Sequence, residues 1–164
     1  MVKRSTRSGF TLMEAIIVIA ILGVLASTMP RILVQIVRFY QLHEAKIEIQ
    51  RDARTCLDLI NRFLRQGVSS SVVVDQAAGQ PPYSRVTFTT VQGQGMRFYQ
   101  SGTTLYQVAE STTVISKNVQ YIAFTYPRTD DPTIMSVALT MEKSTYEGGS
   151  KALELSIQKV RIMN

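Results

Sequence analysis

Residues 10–29 form a twenty-residue stretch with one charge, Glu14, and residues 15–26 within it are wholly apolar. About 20 such residues cross the hydrocarbon core of a bilayer as a helix, at a rise of about 1.5 Å each. Ahead of the stretch lies MVKRSTRSG, short, polar and basic through Lys3, Arg4 and Arg7. Basic residues before a span predict an N-terminus on the cytoplasmic side, with the rest of the chain across the membrane. Hydropathy and charge leave three readings open. One is a secretory signal peptide cut at the small-residue site Val24-Leu25-Ala26, and a second is a plain signal anchor. The third is an anchor in which the charge has a task. Glu14 favours the third, because a carboxylate in an apolar span costs about 3 kcal/mol on insertion scales and needs a partner or a function. A signal peptide or a plain anchor gains nothing from it.

The run Gly9-Phe10-Thr11-Leu12-Met13-Glu14, followed by AIIVIAILGVLAS, resembles the prepilin leader and N-terminal helix of type IV pilins and type II secretion pseudopilins. The resemblance implies that a membrane aspartyl peptidase removes residues 1–9 by cutting between Gly9 and Phe10. It also implies that Phe10 is then N-methylated, and that Glu14, now fifth, is the assembly glutamate. The implied partners are the prepilin peptidase/methyltransferase, the inner-membrane assembly platform and other pilin or pseudopilin subunits. Elementary chemistry is compatible with these roles. Cutting before Phe10 exposes an α-amine with a reference pKa of about 7.7–8.0, and methylation leaves it able to carry positive charge. Glu14, on the same chain or a neighbour, offsets the burial of that cation, and such a pair sets the register of an incoming subunit.

Downstream, Gly23 is tolerated in a membrane helix. Pro30 removes a backbone donor, and a kink is expected at residues 27–30. Beyond it the pattern becomes amphipathic. Phe39, Leu42, Ala45, Ile49, Ala53, Cys56, Ile60 and Phe63 recur every three or four residues, with charges mostly on the other sides. Gly67 and the serines at 69–71 suit a helix end. Residues 10–66 thus read as one helix of about 57 residues, about 85 Å long, with a lipid- or subunit-facing half (10–29) and an amphipathic half (30–67). Cys56 falls on the apolar face as a small core residue, and as the lone cysteine it forms no intrachain disulfide. His43, the only histidine, lies beside the stripe without a clustered partner.

Residues 68–164 carry strand and turn signals. Candidate strands are 85–91, 96–100, 103–108, 118–126, 133–141 and 152–163, with a Gly93-Gln94-Gly95 turn and loops at PRTDDP and STYEGGS. Met135, Val137, Leu139 and Met141 alternate with Ile134, Ser136, Ala138 and Thr140. The fold class is therefore α+β: a long N-terminal helix packed against an antiparallel β-sheet, which is the pilin fold in the family resembled. The strand spacing is similar to that of J-type minor pseudopilins and W-type minor pilins, implying a role in filament initiation or at the tip. The alternative is a tip adhesin or DNA-uptake binding module, with Tyr99, Tyr106, Tyr121 and Tyr126 as candidates, although alternate strand positions place several of these in the core.

The sequence predicts no enzyme, cofactor or metal. A single histidine builds no Ser-His-Asp arrangement, Gly-Gln-Gly at 93–95 precedes no helix, and Asp130-Asp131-Pro132 reads as a solvated turn before a calcium site. The net charge of +6 falls to +3, 15 basic against 12 acidic residues, once residues 1–9 are set aside. That is not the concentrated basic face of a nucleic-acid binder. The expected location is the inner membrane, single-pass, with the C-terminal domain on the far side, and a filament after assembly.

Overall fold

The computed structural model describes residues 9–145 and 151–162. Among these residues the fold is α+β: one helix, α1 (Leu12–Leu64), a short 3₁₀ turn (Ser69–Ser71) and eight strands. These are β1 (Val73–Asp75), β2 (Arg85–Thr89), β3 (Gly95–Ser101), β4 (Thr104–Val108), β5 (Thr112–Ser116), β6 (Val119–Thr125), β7 (Ile134–Ser144) and β8 (Lys151–Arg161). The helix and six of the eight strands fall where periodicity places them, within a few residues at each end; β1 and β5 were not expected. The chain divides into two compact units, Met1–Tyr40 and Gln41–Asn164.

In the first unit, residues 15–26 of α1 are apolar on every side, and the large apolar side chains between Leu12 and Leu33 are exposed, from 43% at Val18 to 81% at Leu12. A helix apolar all round has no dry face to present to a single core, so it needs an apolar surrounding. α1 is the one helix among the described residues long and apolar enough to cross a membrane.

In the second unit the helix follows the opposite rule. Ala45, Ile49, Ala53, Cys56, Leu57, Ile60 and Leu64 are buried along one face. They join Phe88, Phe98, Met135, Val137, Leu139 and Met141 in a single core. The expected stripe is mostly correct and slightly rotated. Leu57, Asn61 and Leu64 also turn inward, Phe63 and Leu42 are only partly covered, and Phe39 is exposed. A 3.6-residue period drifts across a fixed spacing of three and four, so the buried band widens toward the helix end.

The sheet expectation is extended by the structure. There are two antiparallel sheets, a five-stranded one in the order β1-β2-β3-β4-β5 and a three-stranded one in the order β6-β7-β8. β1 and β5 are additions to the expected strands: Val72-Val73-Val74 and Thr112-Thr113-Val114-Ile115 are β-branched, but the first strand is only three residues long and the second lacks a buried alternating face. The alternation in β7 is as the sequence predicts: Met135, Val137, Leu139 and Met141 are fully buried and their neighbours half-buried.

Gln100 joins the sheets. It is buried in β3; its Nε2 donates to the carbonyls of Gly102 (2.8 Å) and Gln120 (3.0 Å), and its Oε1 accepts the Ile122 N–H at 3.0 Å. The amide therefore satisfies the inner edge of β6, where no strand continues the ladder. Backbone bonds from Phe124 N–H to Tyr83 O and from Val119 N–H to Thr103 O, both 2.9 Å, complete the seam. Tyr83 holds its carbonyl there at φ 64°, a conformation costly for a residue with a Cβ.

Gly67 ends the helix for a different reason than a left-handed cap. Its φ is not positive. A Cβ at this position would lie 2.9 Å from Phe88 Cδ2 and 3.1 Å from the Leu64 carbonyl oxygen. Glycine is required here by close approach of the turn to the Phe88 ring. The Gly93 turn does use positive φ, at 84°, closing with Gly93 N–H to Thr90 O at 2.8 Å.

Candidate processing and assembly segment

The sequence singles out Gly9, Phe10, Glu14 and Pro30. Residues 1–8 of the basic leader lie outside the described residues. Gly9, Phe10 and Thr11 precede the helix, and Phe10 is 72% exposed. Thr11 caps α1: its carbonyl accepts the N–H groups of Glu14 (3.1 Å) and Ala15 (3.2 Å), and its Oγ1 also accepts from Glu14 N–H at 3.3 Å. Thr11-Leu12-Met13-Glu14 is thus the S/T-x-x-E pattern that opens helices, with Glu14 at the third helical position.

This gives Glu14 a local task that sequence reasoning missed, although the spacing to Thr11 carried the signal. A carboxylate in the first turn is favourable beside the positive end of the helix dipole. A cationic α-amine created just ahead of that turn would be unfavourable there, and Glu14 is the one acidic group in the first turn to offset it. The scissile candidate Gly9–Phe10, the cap Thr11 and the carboxylate Glu14 are therefore consecutive features of one helix start.

Pro30 lies inside α1, and the helix continues through it. It offers no N–H to the carbonyl one turn earlier. Beside it Ser27 Oγ donates to Val24 O at 2.8 Å, and Thr28 Oγ1 donates to Val24 O (3.2 Å) and Leu25 O (3.1 Å).

The remaining candidates lie in the second unit. Cys56 is buried and free. Burial first, then the nearby Asp52 charge, push its thiol up to about 12 against a weaker opposing hydrogen bond with Ser116, so it packs as a neutral small side chain. Asp130 and Asp131 are occupied by different partners. Asp130 accepts Arg128 Nε and Nη2 at 3.2 and 3.0 Å, and Asp131 Oδ1 accepts the Thr133 N–H (3.0 Å) and Oγ1–H (2.5 Å). The Thr133 bonds hold the Asp131 carboxyl below its usual range. This is a self-bonded turn at the PRTDDP loop. Among the described residues no group of three or more His, Cys, Asp or Glu side chains is placed to hold a metal ion.

None of the four tyrosines is fully buried, but Tyr126 packs against the core. Tyr99, Tyr106, Tyr121 and Tyr126 are all half-buried. Tyr99 and Tyr106 face each other across β3 and β4 and stack at 5.2 Å between ring centroids, 14° apart in plane. In the same row β1 and β2 contribute the Asp75–Arg85 ion pair, 2.5 Å.

A family profile described as the prokaryotic N-terminal methylation motif matches residues 4–29. That is the segment in which Thr11 caps the helix and Glu14 stands as the single charge of the apolar run. The motif marks type IV pilin-like proteins and pseudopilins, and the α+β architecture with its long apolar N-terminal helix is consistent with the pilin fold. It implies processing by a prepilin peptidase, assembly with other pilin subunits, and membrane anchoring. Neither a curated protein sequence nor a solved structure matches the chain.

Proposed function

We propose that this chain is a minor pilin or pseudopilin. In this reading it is cut between Gly9 and Phe10, methylated at Phe10, and held in the inner membrane by residues 10–29 with its second unit on the far side. It is then drawn into a filament to act at initiation or at the tip, in protein secretion or as a type IV pilus. The observation that carries the reading is the coincidence of the methylation motif, residues 4–29, with a capped helix start bearing Glu14. On extraction from the membrane the helix exchanges lipid for protein contacts, so close packing and the Glu14–amine pair decide assembly more than hydrophobicity does. Pro30, with Ser27 and Thr28 bonding back to the preceding turn, supplies a bend there. The minor-subunit assignment draws on the strand spacing and on the single cysteine, which cannot close a C-terminal loop.

The test is the intact mass and N-terminal sequence of the mature chain, from cells with and without a prepilin peptidase. The expected result is N-methylated Phe10 at the start, only when the peptidase is present. A chain beginning at Ser27 would establish ordinary signal-peptide cleavage and overturn the reading. The stacked, half-exposed Tyr99–Tyr106 pair favours a second reading, a tip adhesin or DNA-uptake module. Tyr99→Ala with Tyr106→Ala would then abolish surface or DNA binding while leaving filaments intact; unchanged binding rejects it.

A further inference from the structure

The two sheets have four edges, and three of them are blunted. β1 is only three residues long. β5 is reached through a register shift at Leu105/Tyr106, and bulges of this kind spoil an edge as a template. β6 is occupied by the Gln100 amide and the Tyr83 carbonyl. The fourth edge, β8, is eleven residues long, pairs with β7 without any register shift, and has no strand on its other side among the described residues.

Its side chains sort sharply by face. Ala152, Glu154, Ser156, Gln158 and Val160 pair with the core-facing residues of β7. The other face reads Lys151, Leu153, Leu155, Ile157, Lys159, Arg161, and the three apolar residues are 56%, 61% and 64% exposed. Long, regular, apolar edges are what soluble proteins avoid unless another chain covers them.

The charges say which chain. A two-fold pairing of two β8 strands about their midpoint would set Lys151 against the copy's Arg161 and Leu153 against its Lys159. Like charges directly opposite are destabilising, and a cation opposite leucine wastes the apolar contact. On the outer face of β7 the one carboxylate beside this row is Glu142, 2.5 Å from Lys151. Asp131, just ahead of β7, is close enough to Arg161 to feel its charge, so Lys151, Lys159 and Arg161 outweigh Glu142 and Asp131 by one positive charge, centred on Lys159. We infer that the outer face and free edge of β8 form a docking surface for a protein other than a second copy of this chain, one presenting an extended apolar segment with carboxylates at its flank. The main chain supplies the ladder, Leu153, Leu155 and Ile157 supply the apolar contact, and Lys159 and Arg161 set register and partner choice. This goes beyond the proposed assembly through the N-terminal helix and does not depend on it.

The test places a photo-crosslinking residue at Leu155 in the full chain, in membranes of the producing cell, with Val114 on β5 as control. The expected product joins the chain to a different polypeptide, and the joined peptide carries an alternating apolar segment next to Asp or Glu. Lys159→Glu with Arg161→Glu should lower its yield about fivefold, and Leu155→Glu in a chain carrying the crosslinker at Ile157 should abolish it. A product of twice the chain mass, a yield insensitive to the charge reversal, or no polypeptide product at Leu155 would each overturn the proposal. The mature N-terminus read from the same sample reports separately on the processing reading.

Discussion

Two stretches of one helix treat apolar side chains in opposite ways. In the first unit Ile19 and Leu22 are exposed at 68% and 57%, whereas in the second Ile49 and Ile60 are fully buried. Backbone conformation and residue type are the same in both. The difference lies in pattern: an all-round apolar surface suits lipid or neighbouring helices, and a stripe suits a single packed core. The first stretch is therefore held by an environment outside the chain, and the second by the chain itself. Mutations in the two stretches should consequently be felt in different assays.

The largest effect expected is at Glu14. Glu14→Ala should eliminate incorporation into filaments, as measured by sheared-filament yield, with no change in the unfolding midpoint of the second unit. Normal incorporation of the variant would break the proposed contrast and leave Glu14 only its place beside the positive end of the helix dipole. In the second unit the signs reverse. Leu139→Ala removes a fully buried side chain and should cost about 2–5 kcal/mol by denaturant titration of the full chain in detergent, with N-terminal processing unchanged. Gly67→Ala forces a methyl onto Phe88 and should cost about 1–3 kcal/mol; a neutral result would mean that the ring moves aside freely.

Gln100→Leu leaves the Ile122 N–H buried without its acceptor and should cost about 1–3 kcal/mol. The smallest effect is at the half-exposed Asp75–Arg85 pair. Asp75→Asn should cost about 0.2–1 kcal/mol at neutral pH, discounted for solvent screening. The Arg85 hydrogen bond lowers the Asp75 pKa in the folded state, so this stability is present above the unfolded carboxylate value and lost as pH falls through the lower folded one. The difference between variant and parent should accordingly begin to shrink as pH falls through about 4 and vanish only below the lower folded pKa.

The helix, the N-terminal motif and the alternation of β7 were legible in the sequence because each rests on local periodicity or on consecutive residues. Thr11 and Glu14 were legible too, since their three-residue spacing is a capping signature, although the membrane cost of Glu14 drew attention away from it. Gln100 was not legible. Its place between two strands twenty residues apart gives an amide in a strand no local mark, and its value appears only when β6 arrives beside β3. Gly67 was read as a helix stop correctly but for the wrong physical reason, because the Phe88 ring that requires it is remote in sequence. The tyrosines were sorted only in part for the same cause: alternation shows that side chains share a face without saying which face is the core, and of the four Tyr126 packs against it. Asn61 shows the limit in the opposite sense, a polar residue turned into a buried face with its amide oxygen unpartnered, against every compositional expectation.

What the sequence by itself determined is therefore the N-terminal half of the story: a capped apolar helix with one carboxylate, its motif, and six of the strands that follow. Those features depend on neighbours three or four residues away and on solvent preference. Only the tertiary structure decided the division into two sheets, the Gln100 seam, and which strand edge was left open. These depend on which non-local backbone groups and faces meet, and loop closure across tens of residues is not encoded in any short window.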